Sequence, residues 1–581
     1  MKRLALGLLG AALLPAQTST WRPVYLGTDG MVATAHYGTA MAGYKMLAQG
    51  GDAVDAAAAA GFASTVVEPS RSGIGGDAFI LIYRAKTKEV LFINGGGWAP
   101  QRATVEFFQK RGGLELDGPL SPVVPGQPAA LLLALERFGK LKREQVLAPA
   151  IELAERGFVV SENLQNVLRG NVKRLQAFPS SAAVWFRDGQ PVRMGDLVIR
   201  KNLGQTLRRI AAQGRDGFYK GPTAQNIVDF LGKNGGIMEA SDLAEFEAEA
   251  TQPLHVRYRG YDVYGVGLPT QSPVMLQALK ILEGFDLKAM GHNSADYIHH
   301  VVEALKLAFA DRDAYIGDPR FVKDVPIDTL LSDQHAERRR ALIRKDRAID
   351  GVAPPGLLAS AAPLYARGPG SHEELTGAAA FPDWIESFTT HIDTVDKDRN
   401  MVTITSSVAS NFGSAMYVDG DAGGFFLNDV LARFNLNPKH PNSLAPRKRP
   451  RQTLNPVLVL KDGKPCMVFG SPGGDTQGQS QLQFFLNYVE FGKNVQQALE
   501  QPYFSTGAYH QSFHPHPAGK GLSVSQSIPR EVREELARRG HPVRTHSAKG
   551  VGSVKAIVVD GQSGVLMGGA APATDAYVIG W

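Results

Sequence analysis

The sequence predicts an α+β fold, with two packed β-sheets lying between helical layers. Three features point there. Short apolar runs of strand character stand early, at Ala78 to Tyr83 and Val90 to Asn94. A long middle region carries apolar residues at helical spacing. After Thr389, tightly patterned strands and turns return. Strands before, helices between and strands after is the order expected of two sheets that share a core under helices.

Taken in order, residues 31–67 read as helical. Gly51-Asp52 closes one helical run, Gly38 to Gln49, and offers Asp52 as the N-cap of the next. That next run, Ala53 to Val67, is rich in Ala and reads as a buried helix. The turn Ser72-Gly73-Ile74-Gly75-Gly76-Asp77 leads into a strand, whereas a phosphate-cradling loop needs a helix there. Its glycines suit a close backbone approach to a neighbour instead. Helices are expected from Ala129 to Arg137 and near 143–156, 203–213, 222–233 and 273–283, with another at 294–311. The acidic trio Asp311, Asp313 and Asp318 lacks the spacing of a calcium loop and suits ion pairing or capping. Beyond Thr389, strands are expected over Thr390 to Val395 and Met401 to Ser407, joined by Asp396 to Asn400. Val457 to Leu460, Met467 to Phe469 and a terminal hairpin (Val554 to Asp560, Val565 to Gly569) follow, with a helix at 478–490.

Composition narrows the function classes. The 581 residues carry a formal charge of +6, small for this length. The one dense basic run, Arg447 to Arg451, reads as a solvated loop, so no nucleic-acid partner is expected. A single cysteine, Cys466, excludes an internal disulfide and a thiolate metal cluster, and its strand-like setting suits a small buried hydrophobe. Lys2 and Arg3 followed by the apolar Leu4 to Leu14 read as an export signal over residues 1–20. The mature chain is then expected to have no membrane span and to be periplasmic or secreted.

Thr389 stands where a loose polar and Ala/Gly/Pro stretch, from about Pro354 to Trp384, gives way to strand. A Thr whose own α-amine is free can use that amine as general base. The amine exists only if the bond Phe388–Thr389 is cut. The chain therefore reads as a precursor that cuts itself there.

Six short elements, in order, then resemble the γ-glutamyltransferases, or glutathione hydrolases. They are Gly51 to Ala56, Ser72 to Gly76, Thr389-Thr390-His391, Phe412-Gly413, Leu427-Asn428 and Gly470 to Gly474. The resemblance implies a four-layer αββα sandwich of the N-terminal nucleophile hydrolase type. It implies a large subunit, 21–388, and a small one, 389–581. It makes Thr389 the nucleophile, Ser407 a hydroxyl bonded to it, and Gly473 and Gly474 the oxyanion hole, with no cofactor or metal. The implied activity is cleavage of a small-molecule amide through an acyl-Thr389 intermediate, by hydrolysis or by transfer to an amine.

The substrate pocket departs from the family pattern. The family's carboxylate-binding Arg falls at Gly96, and a helping Asn at Ala409. Its paired Ser residues fall at Gln452 and Thr453, its ammonium-binding acid at Arg433, and a nearby Gln at Val430. Arg433 repels an ammonium and attracts a carboxylate. Members with a pocket altered in this way resemble amidohydrolases of oxamate-like amides, or acylases of dicarboxylic acyl groups. Two rival readings remain: a metal hydrolase built on His510, His514 and His516, and an uncut, non-catalytic binding protein.

Overall fold

The computed structural model describes residues 20–357, 388–547, 550–572 and 575–581. All but the last residue of the expected export segment, and all but the first residues of the loose stretch before Thr389, lie outside the described residues.

Fourteen strands form two seven-stranded sheets. In chain order they are β1 (Tyr25–Gly27), β2 (Gly30–Thr34), β3 (Asp77–Arg84), β4 (Glu89–Gly95), β5 (Glu249–Thr251), β6 (Leu254–Tyr258) and β7 (Tyr261–Gly265). After the junction come β8 (Thr389–Asp396), β9 (Met401–Ser407), β10 (Val457–Lys461) and β11 (Lys464–Gly470). The last three are β12 (Lys555–Val559), β13 (Leu566–Ala570) and β14 (Tyr577–Gly580). One sheet runs β1-β13-β12-β11-β10-β7-β6 and the other β14-β2-β8-β9-β3-β4-β5. Every pairing within the two sheets is antiparallel.

Both sheets interleave strands from before and after Thr389. A cut at the junction therefore leaves the two pieces sharing one core. Between the sheets lie Met31, Phe79, Leu81, Val395, Leu458, Val468 and Ile557, all fully buried. Each such side chain contributes roughly 1.5–3 kcal/mol when enclosed.

Helices cover both outer faces, as expected of an αββα sandwich. Tyr37–Ala48, Ala53–Val67 and Gln127–Phe138 lie on the β8 sheet, with Arg143–Arg156 packed over Ala53–Val67; Ser272–Leu282 and Gln477–Val489 lie on the β11 sheet, with Ala295–Tyr315 packed over Ser272–Leu282. Asp52 caps the Ala-rich helix, accepting from the Val54 and Asp55 amides at 2.9 and 3.2 Å, and Asp55 reaches back to the Asp52 amide. Such a cap is worth about 1 kcal/mol. Small side chains let this helix sit close under β8, where the Thr394 hydroxyl donates to the Ala53 carbonyl at 2.7 Å.

Three expectations need correction. Gly30–Thr34 is a strand, because its apolar residues fill the space between the sheets. The helix expected to end at Asp311-Arg312-Asp313 continues to Tyr315, since those charges are paired within the fold. The basic run is not a solvated loop. Lys448, Arg449 and Arg451 are buried; Arg449 pairs with Glu249 at 2.6 Å and Arg451 with Asp313 at 3.0 Å.

Candidate active site

The register of three strands builds the site. Thr389, the first residue of β8, lies opposite Ser407, the last of β9, and Ser407 lies opposite Asp77, the first of β3. Three polar residues thus line up across one end of the sheet. The glycine turn before β3 makes this possible. A Cβ on Gly76 would stand 2.3 Å from the Ser407 carbonyl oxygen, and one on Gly75 would stand 2.1 Å from that of Phe426. The close approach expected of this turn is therefore to the strand end that carries Ser407.

Thr389 is buried, and its hydroxyl donates to Ser407 Oγ at 3.2 Å. Ser407 Oγ also accepts the Ala409 amide at 2.8 Å and donates to the Phe388 carbonyl at 2.7 Å. The hydroxyl and the carbonyl of the junction are held by one side chain.

The next two residues are engaged inside the fold. Thr390 donates to Glu68 at 2.7 Å. His391 uses both ring nitrogens, one on Thr405 Oγ1 and one on Asp393 Oδ1, each at 2.9 Å. No ring nitrogen is left to act as base on a substrate.

Gly473 and Gly474 follow β11 and are half-buried, with φ of +126° and +54°. These left-handed values favour glycine. Thr476 donates its amide and its hydroxyl to the Gly473 carbonyl at 2.9 and 2.8 Å. Gln271 Nε2 donates to the Gly474 carbonyl at 2.8 Å and to the Thr453 carbonyl at 2.9 Å.

Arg433 lies beside this loop. It is fully buried, and its Nη1 donates to Thr453 Oγ1 at 2.8 Å. The guanidinium sits 4.6 Å from the centre of the Phe513 ring. Its Nε has no hydrogen-bond partner among the described residues. Burial pushes its pKa down, and Asp475, Asp429 and Asp77 act against that from nearby. Gln452 Nε2 donates to Asp77 Oδ2 at 2.6 Å, and Asp77 Oδ1 accepts the Gly97 amide at 2.9 Å. Burial pushes the Asp77 carboxyl up to about 7.

Gly96 enters this group through its backbone. Its amide donates to Asn94 Oδ1 at 2.9 Å, and its carbonyl accepts Arg449 Nε at 2.8 Å. Ala409 takes φ +78°, and Val430 is buried, its amide donating to Asn428 Oδ1 at 3.2 Å.

The three loop histidines do not gather as metal ligands. His516 uses both ring nitrogens on the carbonyls of Gln511 and Phe434, and His510 lies 3.6 Å from Asp313. Among the described residues, the His/Cys/Asp/Glu group with ligand geometry is His299, Glu303 and His541, elsewhere in the fold. There the Lys306 ammonium already sits 2.8 Å from Glu303. Cys466 is buried, and burial pushes its thiol up to about 12, as suits a hydrophobe.

Sequence reasoning passed over Asp77, Gln271, Arg312 and Asp475. Asp77 and Asp475 stand next to the two glycine turns that drew attention, so adjacency was an available signal. Gln271 and Arg312 carry no local signal at all.

A family model described as Gamma-glutamyltranspeptidase matches residues 39–581. The chain belongs to this family. It is 32% identical to a glutathione hydrolase proenzyme of Bacillus subtilis (strain 168) over 97% of this chain and 94% of that one. It is 33% identical to an acylase ACY 1 proenzyme of Pseudomonas sp. (strain SE83), over 94% and 92%. The fold matches that of cephalosporin acylase from Bacillus halodurans with a TM-score of 0.85, 31% identity and 99% coverage of both chains. Family membership makes this gamma-glutamyltranspeptidase relative an enzyme of the autoprocessed N-terminal nucleophile amidohydrolase class. No helix among its described residues is long and apolar enough to cross a membrane.

Proposed function

We propose that this chain cuts itself between Phe388 and Thr389 and then cleaves a small-molecule amide through Thr389. The observation that carries the reading is the shared hold of Ser407 on the Thr389 hydroxyl and the Phe388 carbonyl. In the first reaction Thr389 Oγ1 attacks the Phe388 carbonyl carbon. The C–N bond breaks, the nitrogen takes the hydroxyl proton, and an ester forms. Water then hydrolyses the ester and leaves a Phe388 carboxylate and a free Thr389 amine.

In the second reaction that amine takes the proton from Oγ1 as the oxygen attacks the substrate amide. The Gly473 and Gly474 amides supply fixed donors to the oxyanion. The amine leaving group departs with the proton, and water or another amine takes the acyl group from Thr389. The pieces 21–388 and 389–581 remain together, because both sheets need strands from each. Residues 1–20 direct export to the periplasm or the medium.

Arg433 favours a particular acyl group. A buried guanidinium with an unmatched Nε and, among the described residues, no carboxylate within ion-pair distance suits a substrate that brings its own carboxylate. An oxamate-like or dicarboxylic acyl amide meets this need without an ammonium to place; a γ-glutamyl amide has to place one near Arg433. The intact mass of purified protein, followed by hydrolysis assays on γ-glutamyl-p-nitroanilide, oxamate and a glutaryl amide, tests both levels. Two fragments with a break before Thr389, and turnover of the last two compounds alone, support the reading. One uncut, inactive chain replaces it with a binding protein.

A further inference from the structure

We infer that Arg312 is the positioning residue that holds the Gly473-Gly474 loop in its donor geometry, an inference that rests on the oxyanion role given to those glycines above. Two adjacent glycines at positive φ have wide conformational freedom, so something must hold them if their amides are to act as fixed donors. A peptide unit is planar. Holding the Gly473 carbonyl therefore aims the Gly474 amide on the same plane, and holding the Gly474 carbonyl sets the next plane.

Thr476 provides the first hold and Gln271 the second. Arg312 governs the rest. Its Nη1 donates to Asp475 Oδ1 at 2.6 Å, directly after the glycines, and to Gln271 Oε1 at 3.2 Å. One guanidinium thus grips the loop from Asp475 and orients the amide side chain that grips Gly474. Asp475 is completed by Ser512, whose amide donates to Oδ2 at 2.9 Å and whose hydroxyl donates to Oδ1 at 2.5 Å.

Arg312 is itself immobilised. Its side chain is fully buried and lies over the rings of Phe309 and Tyr509, at 4.7 and 5.5 Å. Its Nε bonds Asp313 at 3.0 Å and its Nη2 the His510 carbonyl at 2.6 Å. Burial disfavours the Asp313 charge, but Arg312 and Arg451 outweigh it and hold that carboxyl well below the usual range. A fully buried guanidinium with these partners cannot reach the substrate and acts only through the loop. Arg312 and Gln271 precede the junction and Asp475 follows it, so the clamp joins the two future subunits.

The self-cleavage reaction separates positioning from folding. Its carbonyl, that of Phe388, is held by Ser407 and not by the glycine loop. Arg312→Met and Asp475→Asn are made, the second keeping the shape of the side chain. Fragment masses report cutting, and kcat and KM are measured on the best amide substrate. Affinity is measured for the boronic acid in which boron replaces the reacting carbonyl carbon of that substrate, which bonds to Thr389 Oγ1 as a tetrahedral adduct, and for the carboxylate product. Both variants are expected to cut themselves. Their kcat and boronate affinity should fall together by roughly 10²-fold, while KM and product affinity stay within about threefold.

A cut Arg312→Met enzyme with wild-type kcat overturns the inference. So does a rise in KM at unchanged kcat, which would place Asp475 on the substrate. An uncut Arg312→Met beside an Asp475→Asn that is cut and fully active also overturns it, because Arg312 would then serve folding alone. A wild-type protein that binds no boronate at Thr389 defeats the assignment of the nucleophile instead.

Discussion

The Ser407 hydroxyl donates to the Phe388 carbonyl oxygen at 2.7 Å. In the proposed self-cleavage that carbonyl is attacked by the hydroxyl from which Ser407 accepts, so Ser407 would both polarise the scissile bond and locate the nucleophile. Removing one oxyanion donor typically costs 10²–10³-fold in rate. Ser407→Ala should therefore slow appearance of the two fragments by roughly 10²-fold, followed by mass spectrometry after the precursor is made. Cutting at the wild-type rate would show that Ser407 is only a strand-end contact.

Thr389→Ala should remain a single chain of full mass with no amidase activity. Thr389→Ser keeps a hydroxyl and a future α-amine at the same place and should still cut. A cut and active Thr389→Ala protein would refute the nucleophile.

Arg433 is the test of substrate class. Hydrogen bonds to charged groups contribute about 1.5–3 kcal/mol. Arg433→Gln should accordingly raise KM for a glutaryl amide about 10- to 100-fold, with a smaller effect on an amide whose acyl group has no terminal charge. Self-cleavage should persist, since Arg433 makes no hydrogen bond to Thr389, Ser407 or Phe388. Equal losses on both substrates would make Arg433 a packing residue.

Asp77 should give stability a pH dependence that depends on its burial. Its carboxyl rises from 3.8 to about 7 in the folded chain, chiefly because burial disfavours the charge. Between those values the folded state keeps a proton that the unfolded state has lost. The Asp77 contribution is therefore fully present below pH 3.8 and is lost as pH rises through 7, at up to roughly 1.4 kcal/mol per pH unit. Asp77→Asn should lose this slope. Urea unfolding at pH 5 and pH 8 should show the variant gaining on wild type at the higher pH, and a constant difference would contradict the assignment.

Much of this protein was legible along the chain. Short apolar runs and turn signals located β3, β4, β8 and β9, and helical spacing most of the long helices, because such patterns belong to a local stretch of residues. Asp52 announced a helix start, the glycine turn before β3 announced a close approach, and Thr389 stood out at a change of pattern. Those features need no knowledge of what lies across the core.

Tertiary structure alone decided the rest. Gly30–Thr34 reads as helix by its neighbours and is strand because β8 and β14 lie on either side of it. The Arg447–Arg451 run reads as a solvated loop, yet Lys448, Arg449 and Arg451 are buried because Glu249, Asp313 and backbone carbonyls meet their charges. The partnership of Ser407 with Asp77, and of Arg312 with Asp475, depends on residues brought together from opposite sides of the Phe388–Thr389 bond. Local pattern determines which element a residue joins; whether a charge is buried, paired or left to meet a substrate depends on which groups the packed sheets bring to face it.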